Sequence, residues 1–86
     1  MAWKVEYSVA ALKTLQRFDP PVRRRILSFV ETRVMAEPRR IGEALKGRFG
    51  EYWKYRVGDY RLICDIEDAT RTVWVLQIGD RKEVYR

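Results

Sequence analysis

The stretch from residue 51 to residue 67 restricts the fold most. Glu51-Tyr52-Trp53-Lys54-Tyr55-Arg56-Val57 alternates polar and apolar side chains, Gly58-Asp59 interrupts it, and Tyr60 to Glu67 takes the chain on. A period of two marks a strand with one face buried. A Gly-first pair between two such runs is what a two-residue type II′ hairpin turn needs. The centre of the domain is therefore predicted to be antiparallel sheet. Asp68 to Arg71 reads as a looser turn and Thr72 to Ile78 as a third strand. Gly79-Asp80 follows, and the sequence ends Arg81-Lys82-Glu83-Val84-Tyr85-Arg86.

The period differs upstream. Residues 2–7 alternate, with Trp3, Val5 and Tyr7 on one side, and predict an N-terminal strand. Ser8 is placed to cap a helix over roughly 9–18, with Ala11, Leu12, Leu15 and Phe18 on one face. Asp19-Pro20-Pro21 marks a break and a new start, since Asp caps well and Pro suits the first helical turn. The second helix is predicted to run to about Glu37, with Val22, Ile26, Phe29, Val30 and Val34 as its inward stripe, and Pro38 ends it. A short connection containing Ala44-Leu45-Lys46-Gly47 leads to the alternating region. The order β-α-α-β-β-β predicts an α+β domain: an N-terminal strand, a two-helix hairpin, then a three-stranded antiparallel meander with the helices on one face. The other face is expected to be open to water.

Composition narrows the chemistry. The 86 residues make one domain over 1–86, since chains usually split only beyond about 250–300 residues. Hydrophobic residues at 47% supply a real core and argue against disorder. No apolar run approaches the roughly 18 residues of a membrane span, and the N-terminus lacks a signal-peptide block, so a soluble cytoplasmic protein is expected. With no histidine and only Cys64, His-based nucleophile systems and His- or Cys-ligated metals are set aside. Cys64 reads as a small buried hydrophobe. Eighteen Lys and Arg against twelve Asp and Glu give a net charge of +6, which points to an anionic partner. Residues 1–50 carry that excess, with 11 basic and 5 acidic side chains, whereas residues 51–86 hold seven of each. Any phosphate site in the second half must therefore come from arrangement rather than number.

Alternation supplies the arrangement. If Trp53, Tyr55 and Val57 face the helices, Lys54 and Arg56 face solvent. Arg61 lies across the tight turn at a similar level, and Arg81 and Tyr85 follow the last strand within reach. Cations opposed on one sheet face repel, and a polyanion would reconcile them. Trp3, Trp53 and Trp74 read as core residues rather than base-stacking ones. The helical hairpin has a basic outer side of Arg23, Arg24, Arg25, Arg33, Arg39 and Arg40. It reads either as a solvated face or as a phosphate-contacting footprint.

Leu45-Lys46-Gly47, then Tyr52-Trp53-Lys54-Tyr55-Arg56-Val57-Gly58-Asp59-Tyr60-Arg61-Leu62-Ile63, then Ile78-Gly79-Asp80-Arg81 and Glu83-Val84-Tyr85 together resemble the RelE family of type II toxins. The likeness extends to the N-terminal strand and Ala10-Ala11-Leu12, nearly the whole chain. The resemblance implies a toxin of a type II toxin-antitoxin system: a ribosome-dependent endoribonuclease, or mRNA interferase, that cuts mRNA in the ribosomal A site and is restrained by a RelB-like antitoxin. It implies Lys54, Arg56, Arg61, Arg81 and Tyr85 at the catalytic positions, and attack of a ribose 2′-OH on the adjacent phosphate without metal or cofactor. Arg23, Arg24, Arg25, Lys46 and Arg48 are expected to contact RNA or the ribosome. The implied partners are the antitoxin and the 70S ribosome with its mRNA and rRNA, with operator DNA bound through the antitoxin. A ParE-like inhibitor of DNA gyrase without nuclease activity is the alternative. Arg56 departs from the lysine of the best-known member, and the sequence has no helix beyond Tyr85.

Overall fold

The computed structural model describes residues 3–47 and 50–80. Strand β1 (Lys4–Tyr7) leads to helix α1 (Val9–Arg17) and helix α2 (Pro20–Phe29), and α2 continues as a π-helical turn over Val30–Val34. Four strands follow: β2 (Glu43–Gly47), β3 (Gly50–Val57), β4 (Tyr60–Glu67) and β5 (Thr72–Asp80). The sheet order is β1-β5-β4-β3-β2. β1 runs parallel to β5, and every other pairing is antiparallel. The expected α+β architecture is thus present, with the helices on one face of a mixed five-stranded sheet.

The caps and turns follow local chemistry. Ser8 Oγ accepts the Ala11 backbone N–H and donates to the Leu76 carbonyl, capping α1 and fastening it to β5. Gly58 has φ +60, and Asp59 does not share a positive φ, as a type II′ turn requires. Ala11 and Leu15 are buried, but Leu12 is 45% exposed, contrary to the expected stripe. At about 100° per residue, positions 11, 15 and 18 share one line and position 12 falls well off it. α2 also stops short of Glu37. The Met35 N–H reaches five residues back to the Val30 carbonyl at 3.0 Å, the wider i→i+5 turn of a π-helix. Asp19 occupies the start of α2 without a side-chain capping bond.

Two expectations about the sheet need correction. The connection around Ala44-Leu45-Lys46-Gly47 is a strand, so the meander has four strands rather than three. Glu, Ala, Lys and Gly are poor strand residues, and β2 forms because β3 offers it an edge. The chain entering β2 is held tightly: Trp53 Nε1 donates to the Ile41 carbonyl at 2.8 Å, and Tyr55 Oη to the Pro38 carbonyl. Gly42, at φ +80, lies so close to β3 that a Cβ there would meet the Lys54 carbonyl oxygen at 2.5 Å. Only glycine fits that approach. The second correction concerns the outer face, which is closed in part: Arg61 and Ile63 are 6% and 9% exposed.

The core lies between the helices and the inner face of the sheet. Tyr55, Leu62, Cys64, Val73 and Val75 have no exposed surface, and Ile26, Val30 and Val34 cover them. Trp53 is only half-buried, and Trp74 is 38% exposed on the outer face, so it is not the core residue expected. Among the described residues no helix is long and apolar enough to cross a membrane.

Candidate phosphate-binding site

The site is built by strand parity. Lys54 and Arg56 alternate with the inward Trp53, Tyr55 and Val57, and the type II′ turn sets Arg56 directly opposite Arg61. Lys54 lies opposite Ile63 on the same face. Two arginines therefore stand in register on neighbouring strands, on the same face of the sheet. Arg56 is exposed and Arg61 is buried. β2 ends at Glu43, opposite Lys54, so Tyr55, Arg56 and Val57 have no strand partner on that side among the described residues.

A cleft of about 270 Å³ opens at this free edge. Lys54, Arg56 and Arg61 line it from the sheet, and Phe29 and Arg33 from the helical layer, with Ile41, Gly42 and Glu43 between. The Lys54 side chain is 17% exposed, and its Nζ lies 4.0 Å from Glu43 Oε1. The cleft thus joins four cations, one carboxylate and an apolar surface. Phe29, Arg33 and Glu43 were not singled out as site residues. Arg33 carried a signal, as part of the basic outer side of the hairpin, but helical periodicity does not place it beside β3.

The remaining expected residues separate into groups. The Arg25 guanidinium lies against the β3–β4 turn, where a Cβ on Gly58 would come within 3.0 Å of its Nη1. Arg24 is exposed, and Arg23 is half-buried with Nη1 3.5 Å from the Phe18 carbonyl. Lys46 is placed in β2 by its backbone. Arg48, Arg81 and Tyr85 lie outside the described residues.

Two cations of the hairpin are already engaged. Arg39 grips Asp68 through two hydrogen bonds of 2.7 and 2.9 Å, and Arg40 lies 3.2 Å from Glu37. The Arg39 hydrogen bonds hold the Asp68 carboxyl below its ordinary range. Both pairs are exposed and add little stability. They border a larger depression beside Trp3, whose arginines are thus less available to an anion than those at β3.

The thiol is not part of the chemistry. Cys64 has no exposed surface, and burial first and the Asp65 charge second push its pKa up to about 12. A thiol so protonated is a poor nucleophile. Burial likewise raises Tyr7 to about 12 and raises Tyr55 further, so neither inner-face phenol supplies a base.

Comparison with known proteins supplies the family and relatives of the same fold. A family model described as the ParE toxin of type II toxin-antitoxin systems matches residues 5–85. Toxin RelG of Mycobacterium tuberculosis is 28% identical over 86 residues, covering 100% of this chain and 99% of that one. A chain of the crystallised RelBE2 toxin-antitoxin complex of M. tuberculosis superposes with a TM-score of 0.86 at 26% identity, covering 94% of this chain and 100% of that one. The isolated E. coli RelE toxin superposes with a TM-score of 0.77 at 27% identity, covering 98% and 92%.

Proposed function

The chain belongs to the ParE toxin family of type II toxin-antitoxin systems, within the RelE/ParE superfamily, and from its likeness to RelE toxins we propose that it is a ribosome-dependent endoribonuclease that cuts mRNA in the ribosomal A site. The observation that carries this reading is the opposed pair Arg56 and Arg61 beside Lys54, with Arg61 only 6% exposed. Like charges directly opposed destabilise a sheet, and burying one of them adds a desolvation penalty. A phosphate held between the two arginines would accept charge-assisted hydrogen bonds from both.

The proposed reaction is transesterification within the message. The ribose 2′-oxygen attacks the adjacent phosphorus, its proton passes to a base, and the P–O5′ bond breaks as the 5′-oxygen gains a proton. The products are a 2′,3′-cyclic phosphate and a free 5′-hydroxyl. Arg56 and Arg61 hold the phosphate and stabilise the charge that grows on its oxygens, an effect worth about 10²–10³ in rate for a single donor elsewhere. Lys54 and Arg81 neutralise or protonate the leaving oxygen, and Tyr85 orients or deprotonates the 2′-hydroxyl. The roles of Arg81 and Tyr85 rest on the family resemblance.

The partners follow from the same reading. Solved relatives include RelBE toxin-antitoxin complexes, and a RelB-like antitoxin is proposed to neutralise this chain by covering the cationic face. Arg23, Arg24 and Arg25, with Lys46 and Arg48, are proposed to meet rRNA phosphates on the 70S ribosome. Operator DNA would be reached through the antitoxin, and the cytoplasm is where message and ribosome meet the toxin.

The test is primer extension on a defined mRNA in a purified translation system. Cuts confined to ribosome-bound message, and lost with Arg61→Gln, support the reading. Intact message at toxin levels that still arrest growth overturns it, and a gyrase supercoiling assay then tests the alternative.

A further inference from the structure

We propose that the helical wall of the cleft is a subsite for the nucleotide next to the scissile phosphate, with Arg33 taking its phosphate and Phe29 its base. This deepens the RNA-cleaving reading and rests on it.

Four observations carry the inference. First, the cleft is bounded by two separate layers, Lys54, Arg56 and Arg61 on the sheet and Phe29 and Arg33 on the helical side. A phosphate gripped by the opposed strand arginines leaves the helical wall for the next unit along the strand. Second, Arg33 is exposed and enters no ion pair among the described residues, unlike Arg39 and Arg40 on the same hairpin. Third, Phe29 meets Tyr55 edge-on, with ring centroids 6.2 Å apart. Tyr55 is itself buried and hydrogen-bonded to the Pro38 carbonyl, which fixes the platform. Fourth, the cleft of about 270 Å³ lies just below the roughly 300–1,000 Å³ of drug-sized ligand sites, as suits a single nucleotide unit.

The chemistry of the lining selects a nucleotide over other anions. A free phosphate or a carboxylate would use the cations and ignore the apolar surface of Phe29 and Ile41. A nucleotide uses both, since every base has a face that stacks on an aromatic ring. The one carboxylate present, Glu43, lies beside the Lys54 ammonium and is offset by it. β2 pairs with β3 only as far as Glu43, and Gly42 adds no side chain, so the entering segment walls the cleft with Ile41 and the Gly42 backbone and does not fill it.

Binding to the free protein tests this without requiring cleavage. The probes are 2′-O-methyl RNA oligonucleotides, a dimer with one internal phosphate and a trimer with two, followed by NMR titration at several salt concentrations. The unaltered protein should bind the trimer about tenfold more tightly than the dimer. Its log–log salt slope for the trimer should be steeper by about 0.7, the increment for one more single-strand phosphate neutralised. Arg33→Gln should bring trimer affinity and slope down to the dimer's values and leave the dimer unchanged. Arg33→Lys should retain the slope. Phe29→Leu should weaken the trimer about tenfold with the slope intact, as loss of one stacked base implies. Thermal melts check that each variant is folded.

Equal binding of dimer and trimer by the unaltered protein, up to millimolar concentration, overturns the subsite. So does an equal weakening of dimer and trimer by Arg33→Gln, which marks general charge attraction, or no effect of that variant on the trimer. The two readings fail separately. Trimer discrimination that depends on Arg33, together with uncut message on the ribosome, keeps the subsite and removes the nuclease. Cut message with no such discrimination does the reverse.

Discussion

Arg61 and Leu62 are neighbours on β4, and both are almost wholly buried, at 6% and 0% exposure. Their settings are opposite. Leu62 faces the helices, paired with Tyr55, and its burial removes apolar surface from water, about 25 cal/mol for each Å². Arg61 points to the other face, across from Arg56, where burial penalises a charge that cannot be shed, since guanidinium stays protonated in proteins. The same degree of burial therefore stabilises the fold on one side of the strand and costs a desolvation penalty on the other, where the anion site is proposed. Cys64 and Trp74 repeat the contrast more mildly, one sealed inside and the other half in water.

Substitutions at neighbouring positions can break this comparison. Leu62→Ala should lower unfolding free energy by about 2–5 kcal/mol, the range for removing a buried leucine side chain, read as a lower urea midpoint. Arg61→Met should do something different in kind. It keeps the apolar stem and removes the charge, so message cutting should fall at least about 10²-fold in a protein that still unfolds cooperatively. Retained cutting by folded Arg61→Met would show that the outer face is ordinary scaffold.

A pH titration sharpens the inner half of the comparison. The Cys64 thiol is raised by burial from 9.0 to about 12. The unfolded chain therefore loses this proton first as pH rises. The stability that goes with it is complete below about pH 9 and disappears as the pH climbs toward 12. Denaturant midpoints measured from pH 8 to 11 should fall, and Cys64→Ala should fall less steeply over that interval. The smallest effect is expected outside: Trp74→Thr should change stability by no more than about 0.5 kcal/mol, as for most surface substitutions. A change of several kcal/mol there would mean that the outer face is sealed as firmly as the inner one.

Local pattern carried much of this. The bounds of β4, the turn at Gly58-Asp59 and the Ser8 cap could be read from alternation, a Gly-first pair and a hydroxyl at a helix start, because each depends on residues close in sequence. The sharing of one sheet face by Lys54, Arg56 and Arg61 follows from the same parity. β2 was not legible, since Glu43–Gly47 has little strand preference of its own and exists through its pairing with β3. Leu12 is exposed because it falls off the line of Ala11, Leu15 and Phe18, whereas the exposure of Trp74 depends on the depth of cover above the sheet, which alternation does not give.

By itself, then, the sequence determined every element but β2, most of the inward stripes and the cationic strand face, all consequences of short-range geometry. Only the tertiary structure decided that Arg61 is buried and that β2 stops opposite Lys54, leaving a free edge on β3. Only it brought Phe29 and Arg33, more than twenty residues upstream, to that edge. The physical reason is common to all three: each depends on which distant segment reaches a strand and where it ends, and no local period encodes that.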